Sequence, residues 1–205
     1  MKGKGKFFSA KNVAILGVLL ALVIVLQAFG GSVSFGLVTL NFTLLPIVLG
    51  AILLGPTAGA LLGLACGVVV LVQVIIAPTG FYFIIWANSP LVTILTCLVK
   101  TTVAGWVSGI IFQSFVKKNE TIAVFVASGI VPVLNTALFI LGCLCMNSSI
   151  EMFQGTLTQY TDMNVFVFIL VVLVTFNFFI EFAINLLVAP GLHTVYKVAE
   201  KSIRR

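Results

Sequence analysis

Six apolar runs divide this chain, and their length constrains it more than any other feature. They cover roughly residues 12–29, 42–54, 57–77, 88–115, 121–146 and 163–189. A hydrocarbon core of about 30 Å takes about 20 helical residues to cross at 1.5 Å each. Inside lipid a run of that kind must be helical, because no water is present to satisfy the backbone. Of the 205 residues 61% are hydrophobic and 8% charged, whereas soluble domains carry about 25% charged residues. The chain is therefore read as an all-α integral membrane protein, a single domain built as a six-helix transmembrane bundle. A basic segment at 1–11 precedes the bundle at 12–189, and a basic tail follows at 190–205. The second run is short, so its helix either starts earlier, near Leu37, or is broken by Pro46. A helix end is expected after Pro190.

The net charge of +6 is distributed by topology. Lys2, Lys4, Lys6 and Lys11 precede the first run, Lys117 and Lys118 join the fourth to the fifth, and Lys197, Lys201, Arg204 and Arg205 follow the sixth. With six spans all three groups fall on one side, and the positive-inside rule puts both termini of this multi-pass membrane protein in the cytoplasm. A basic chain of this kind has no need of a nucleic acid partner. Cys66, Cys97, Cys143 and Cys145 lie in apolar runs, and Cys143-x-Cys145 has neither zinc nor redox spacing, so neither metal nor cofactor is expected.

Small residues recur every fourth position at Gly55, Gly59, Gly63 and Gly67. On one helix they leave a face with almost no side chain, the usual device for close helix packing in a bilayer. The groove serves either the protein's own helices or a second subunit. Ala14, Gly17, Ala21 and Ala28 make a similar thin face on the first run, which could meet that groove or a partner. Beyond the third run, the stretch at 78–90 reads P-T-G-F-Y-F-I-I-W-A-N-S-P. Its Tyr82 and Trp86 suit either the membrane interface or the aromatic wall of an outward-facing pocket.

Ionisable groups within spans cost at least ~2.5 kcal/mol on insertion scales and so are candidates for function. Two occur, Lys100 and Glu181. Counted inward from Asn88, Lys100 lies about 18 Å deep, and Asn135 on the fifth run comes to about the same level. An amine and a carboxamide at one depth can read a carboxylate together with an amide or hydroxyl. Asn177, Glu181 and Asn185 share one helical face at i, i+4, i+8. A Lys100–Glu181 ion pair is the alternative use of both charges. Gln73 and Asn88, toward the outer ends of their runs, complete the candidate site.

The sequence contains no G-x-x-x-x-G-K-[ST] loop, so it is not expected to hydrolyse ATP in the P-loop manner. Its one histidine, His193, falls beyond the last run, and Ser108 in G-W-V-S-G has no histidine at its depth, which argues against a membrane protease. One intramembrane lysine among tightly packed small residues does not make a selective pore. On these residues the chain is not expected to be an enzyme. A stand-alone carrier and a structural membrane subunit are open classes.

Four motifs in order carry a family resemblance: L-L-P-I-V-L-G-A-I-L-L-G-P-T-A-G-A-L-L-G at 44–63, L-V-K-T-T-V-A-G-W-V-S-G at 98–109, L-N-T-A-L-F-I-L-G at 134–142, and N-F-F-I-E at 177–181. With the six-span layout they resemble the substrate-binding S component of energy-coupling factor (ECF) vitamin transporters over nearly the whole chain. The pattern is most similar to the pantothenate-type branch, although that branch commonly has arginine after a proline where this chain has Val99-Lys100. The resemblance implies a subunit that captures a vitamin from outside under its outer loops. Pantothenate is the leading ligand, with riboflavin, folate or another vitamin-like molecule as alternatives. The resemblance also implies docking on a coupling transmembrane subunit with two ATPases, and toppling in the membrane to release the load. Ala14, Gly17 and Ala21 are the nearest match to the family's Ala-x-x-x-Ala docking motif. Lys100, Asn135 and Asn177 would contact the ligand, with Tyr82 and Trp86 in the outer lid.

Overall fold

A computed structural model describes residues 9–30, 34–35, 38–39, 42–78 and 80–203. In chain order these form α1 (Ala10–Gly30), an antiparallel pair of two-residue strands β1 (Ser34–Phe35) and β2 (Val38–Thr39), α2 (Leu44–Leu54) and α3 (Pro56–Ile76). Then come α4 (Phe81–Asn88), α5 (Pro90–Phe115), α6 (Glu120–Cys145), α7 (Asn147–Gly155) and a 3-10 turn at Thr158–Tyr160. Last, α8 (Val165–Phe168) runs through a π-helical stretch, Ile169–Val174, into α9 (Thr175–Ile203). The expected positions Lys2, Lys4, Lys6, Leu37, Arg204 and Arg205 lie outside the described residues.

Five helical segments are long and apolar enough to cross a membrane: Ala10–Phe29, Pro56–Ile76, Pro90–Phe115, Glu120–Cys145 and Val165–Lys201. The segment expected as a sixth span is α2, with 11 residues, or about 16 Å of helix. It covers only half a hydrocarbon core. Pro46 does not break it, because it sits in the first turn, where a missing N–H removes no helical bond. Leu44, Ile47, Val48, Ala51 and Ile52 are all buried, and α1, α3, α5, α6 and α9 surround the helix. A helix apolar all round is stable only when wrapped in this way.

Three further expectations are corrected. Gly55 is not part of the α3 face: it ends α2 and caps α3 with φ 98°, a backbone region that favours glycine. The helix does not end after Pro190, since α9 continues through it to Ile203; helix-breaking residues are tolerated in membrane helices where neighbours re-satisfy the freed groups. The stretch at 78–90 is not merely a loop, because it contains α4, which packs through Ile85 into a cluster with Cys143, Ile150, Phe153 and Phe168.

Glycines set the spacing at the centre of the bundle. A Cβ added at Gly59 would strike the Gly105 backbone, at Gly63 that of Thr101 and Thr102, and at Gly67 that of Cys97 and Leu98. The helices α3 and α5 therefore touch backbone to backbone in an antiparallel register, and the Thr101 hydroxyl donates to the Gly63 carbonyl at 2.7 Å. On its other side α5 meets α6, where Ser108 Oγ donates to the Ala127 carbonyl at 2.9 Å and Gly142 makes room for Thr96. Asn119 starts α6 by accepting from the Ile122 N–H, which satisfies one of the free donors of the first turn. At the end where α6 begins and α9 finishes, Glu120, Lys197, Glu200 and Lys201 border a charged cleft.

Candidate functional site

The α3–α5 register decides where Lys100 stands. Gly63 faces Thr101 and Gly67 faces Cys97, so the turn of α5 that bears Lys100 lies level with Cys66 of α3. The Lys100 side chain is half-buried and its ammonium lies over the Phe139 ring of α6, 5.2 Å from the centroid. A cation over an aromatic face gains ~0.5–2 kcal/mol, more as water is excluded. One turn earlier on α6 is buried Asn135, whose Oδ1 has no hydrogen-bond partner among the described residues, and buried Glu181 of α9 lies near it. Lys100 and Glu181 are close enough to feel each other's charge, yet among the described residues they make no ion pair.

Three helices thus bring together Lys100, Asn135 and Glu181, and the structure adds Phe139. Other candidates lie at varying distance from this cluster. The Tyr82 hydroxyl is within electrostatic range of the Lys100 amine, its ring edge-on to Phe81. Trp86 packs on Val70, Val74 and Cys97. Asn88 is exposed and turns back to the Ile84 carbonyl of its own helix, so it is not drawn into the group. Half-buried Asn177 reaches the Leu173 carbonyl at 3.5 Å and makes a further interaction. Asn185 is buried and donates to the Glu181 carbonyl at 2.8 Å.

Gln73 belongs to a second polar group in which Gln27 of α1 is the centre. The Thr43 hydroxyl donates to Gln27 Oε1 at 2.9 Å and the Cys66 thiol to the same oxygen at 3.5 Å. Gln27 Nε2 donates to Gln73 Oε1, and Gln73 Nε2 donates to the Gln27 carbonyl at 3.2 Å. That carbonyl is in the last turn of α1, where helix bonds run out. Gln73 therefore caps α1 while Gln27 ties it to the start of α2. Neither Gln27 nor Phe139 was singled out from the sequence. Gln27 carries a signal, an amide in an apolar run, that a search for ionisable groups passes over; Phe139, one of 18 phenylalanines, carries none.

The small-residue face of α1 is open. Ala14, Gly17 and Ala21 are exposed, a Cβ on Gly17 would meet nothing within 4 Å, and only 11% of the apolar window of α1 is buried.

With the geometry in place, comparison with known families is decisive for the class. The profile of the family described as ECF transporter, substrate-specific component, matches residues 11–193. The chain belongs to that family. No curated protein matches it. As an ECF substrate-specific component it is a multi-pass cell-membrane protein and a substrate-binding transport subunit, with a small-molecule substrate and ECF-module partners.

Proposed function

We propose that this S component captures a vitamin from outside the cell at the Lys100–Asn135–Glu181 cluster and passes it to a coupling transmembrane subunit driven by two ATPases. In this reading α2 is the buried sixth segment of the bundle, and both termini are cytoplasmic, in keeping with the basic residues that follow the positive-inside rule. The observation that carries the proposal is a half-buried ammonium lying over Phe139 with no ion-pair partner among the described residues. An intramembrane cation left in that state is expensive unless a ligand or a relay uses it.

Pantothenate leads among ligands because its carboxylate suits Lys100 while its amide and hydroxyls suit Asn135 and Asn177. Riboflavin and folate are the alternatives. In this reading Tyr82 and Trp86 of α4 form the outer lid. The open small-residue face of α1, with Ala14, Gly17 and Ala21, is the surface for the coupling subunit.

Binding of pantothenate, riboflavin and folate to the purified chain tests the proposal. Lys100→Ala should weaken binding of the true ligand about 10- to 100-fold, the range for a lost hydrogen bond to a charged group. An unchanged affinity would remove Lys100 from the site. Uptake by the chain in vesicles without any ATPase would move it to the class of stand-alone carriers.

A further inference from the structure

The charge on Lys100 is met by a ring rather than by an acid. Its ammonium stands 5.2 Å from the centroid of Phe139, inside the ~6 Å over which an aromatic face attracts a cation. Among the described residues it makes no ion pair. The two kinds of partner leave an amine in different states. A carboxylate draws on its N–H donors and competes with any acceptor that a ligand brings. A ring face holds the charge from one side through its quadrupole and leaves donors to spare.

Phe139 is seated in turn. Its ring lies 6.1 Å from that of Phe81 on α4, tilted by 60°, and Phe81 meets Phe153 of α7 edge-on at 5.3 Å. Phe153 is 4% exposed and packs on the Phe168 ring of α8. Both Phe139 and Phe81 rest against the buried cluster that includes Ile85, Cys143 and Ile150. Aromatic pairs favour tilted and edge-on arrangements at these separations, so the ring beneath Lys100 is held by α4, α7 and α8 as well as by its own helix.

We infer that Phe139 is a positioning residue for substrate capture: its face holds the Lys100 ammonium in place with N–H donors free for a carboxylate or carbonyl of the ligand, and Phe81 seats the ring. This rests on the capture reading and adds the group that keeps the amine from settling on Glu181, the other ionisable side chain of the spans. A ligand that takes only the seated amine has an apparent affinity in proportion to the fraction of protein in which Lys100 is seated. Weakening the ring's hold therefore weakens binding without any contact between Phe139 and the ligand.

Fluorination of the ring tests this, because fluorine drains charge from the π face while barely altering its shape. Phenylalanine carrying one, two or three ring fluorines is placed at position 139 of the full chain by nonsense suppression, and binding of pantothenate, riboflavin and folate is measured in detergent. For whichever binds, affinity should fall stepwise with fluorination, by about 2- to 30-fold in all, the span of a cation–π contact. On a Lys100→Gln background the same series should be flat, since no cation is left to hold. A flat series on the wild-type background overturns the inference and leaves the capture reading standing. So does a fall of equal size in Lys100→Gln, which would mark the ring as packing alone. Binding of none of the three compounds to the wild type overturns both. Should the substituted proteins fail to give monodisperse material, the wild type decides through the ε-methylene proton resonance of Lys100, assigned by its loss in Lys100→Gln. Ring current should shift it upfield of the other lysines, and a resonance at their common position overturns the inference.

Discussion

Replacing Gly63 with alanine tests the frame on which the site is built. The added Cβ would lie 2.6 Å from the Thr101 carbonyl carbon and 2.9 Å from Thr102 Cα, where carbon atoms prefer about 3.5–4.0 Å. Both neighbours are backbone and cannot rotate away, so α5 must retreat from α3 by about 1 Å. Overpacking of this sort costs about 1–3 kcal/mol, and alanine returns at most about 1 kcal/mol through helix propensity. The Thr101 hydroxyl bond to the Gly63 carbonyl would stretch as well. Gly63→Ala should therefore lower the melting temperature in detergent by about 2–6 °C, at the shift expected per kcal/mol for a chain of this size. Since Thr101 adjoins Lys100, ligand affinity should fall with it. Gly17→Ala is the control: with open space around it, the same substitution should leave melting unchanged or slightly raised. A Gly63→Ala protein as stable as the wild type, binding its ligand equally well, would refute the close α3–α5 contact.

Two more outcomes follow from the same geometry. Gln27→Leu and Gln73→Leu should each cost about 1–3 kcal/mol, because either leaves buried polar groups unmet; the double variant should cost clearly less than the sum, read by a double-mutant cycle on detergent melting, and additive losses would show that the two amides do not act together. Ala21→Leu on the exposed face of α1 should leave ligand binding intact but reduce copurification with the coupling subunit and uptake in reconstituted vesicles. Undiminished uptake would take α1 out of the docking surface.

How much of this was legible in the sequence depends on the kind of signal. Long apolar runs give lipid-crossing helices directly, because the bilayer allows a bare run no other structure, and four of the expected spans keep both ends within two residues. The second run misled because its apolar length also suits a short, fully wrapped core helix, and hydropathy does not separate the two. Depth counting puts Lys100 and Asn135 near one level because the rise per residue of a helix is fixed. The same count said nothing of rotation about the axes, so it left open whether Lys100 met Glu181, and it gave no reason to choose Phe139. Gln27 stayed hidden because its value lies in bonds to Thr43, Cys66 and Gln73, on two other segments of the chain.

The short second helix explains why polar groups gather where they do. A full span in the place of α2 would carry apolar side chains through the whole column that α1, α3, α5, α6 and α9 enclose. Instead α2 stops at Leu44, and Thr43 just beyond it bonds Gln27, which also accepts from Cys66. Cys66 shares its level with the α5 turn that bears Lys100, by the glycine register of α3 on α5. The polar side chains of α1, α5, α6 and α9 therefore converge at the height where the apolar filler ends. Below that height a charge would face Ile47, Val48, Leu62 and Val124, all of them fully buried, and would find no partner. At that height Asn135 and Glu181 are buried and Lys100 is half-buried over Phe139, and shielding from lipid is the condition under which ionisable groups persist within a membrane. Lengthening α2 by one apolar turn at its start should then abolish ligand binding while leaving the bundle folded, and retained binding would show that the site does not depend on where α2 stops.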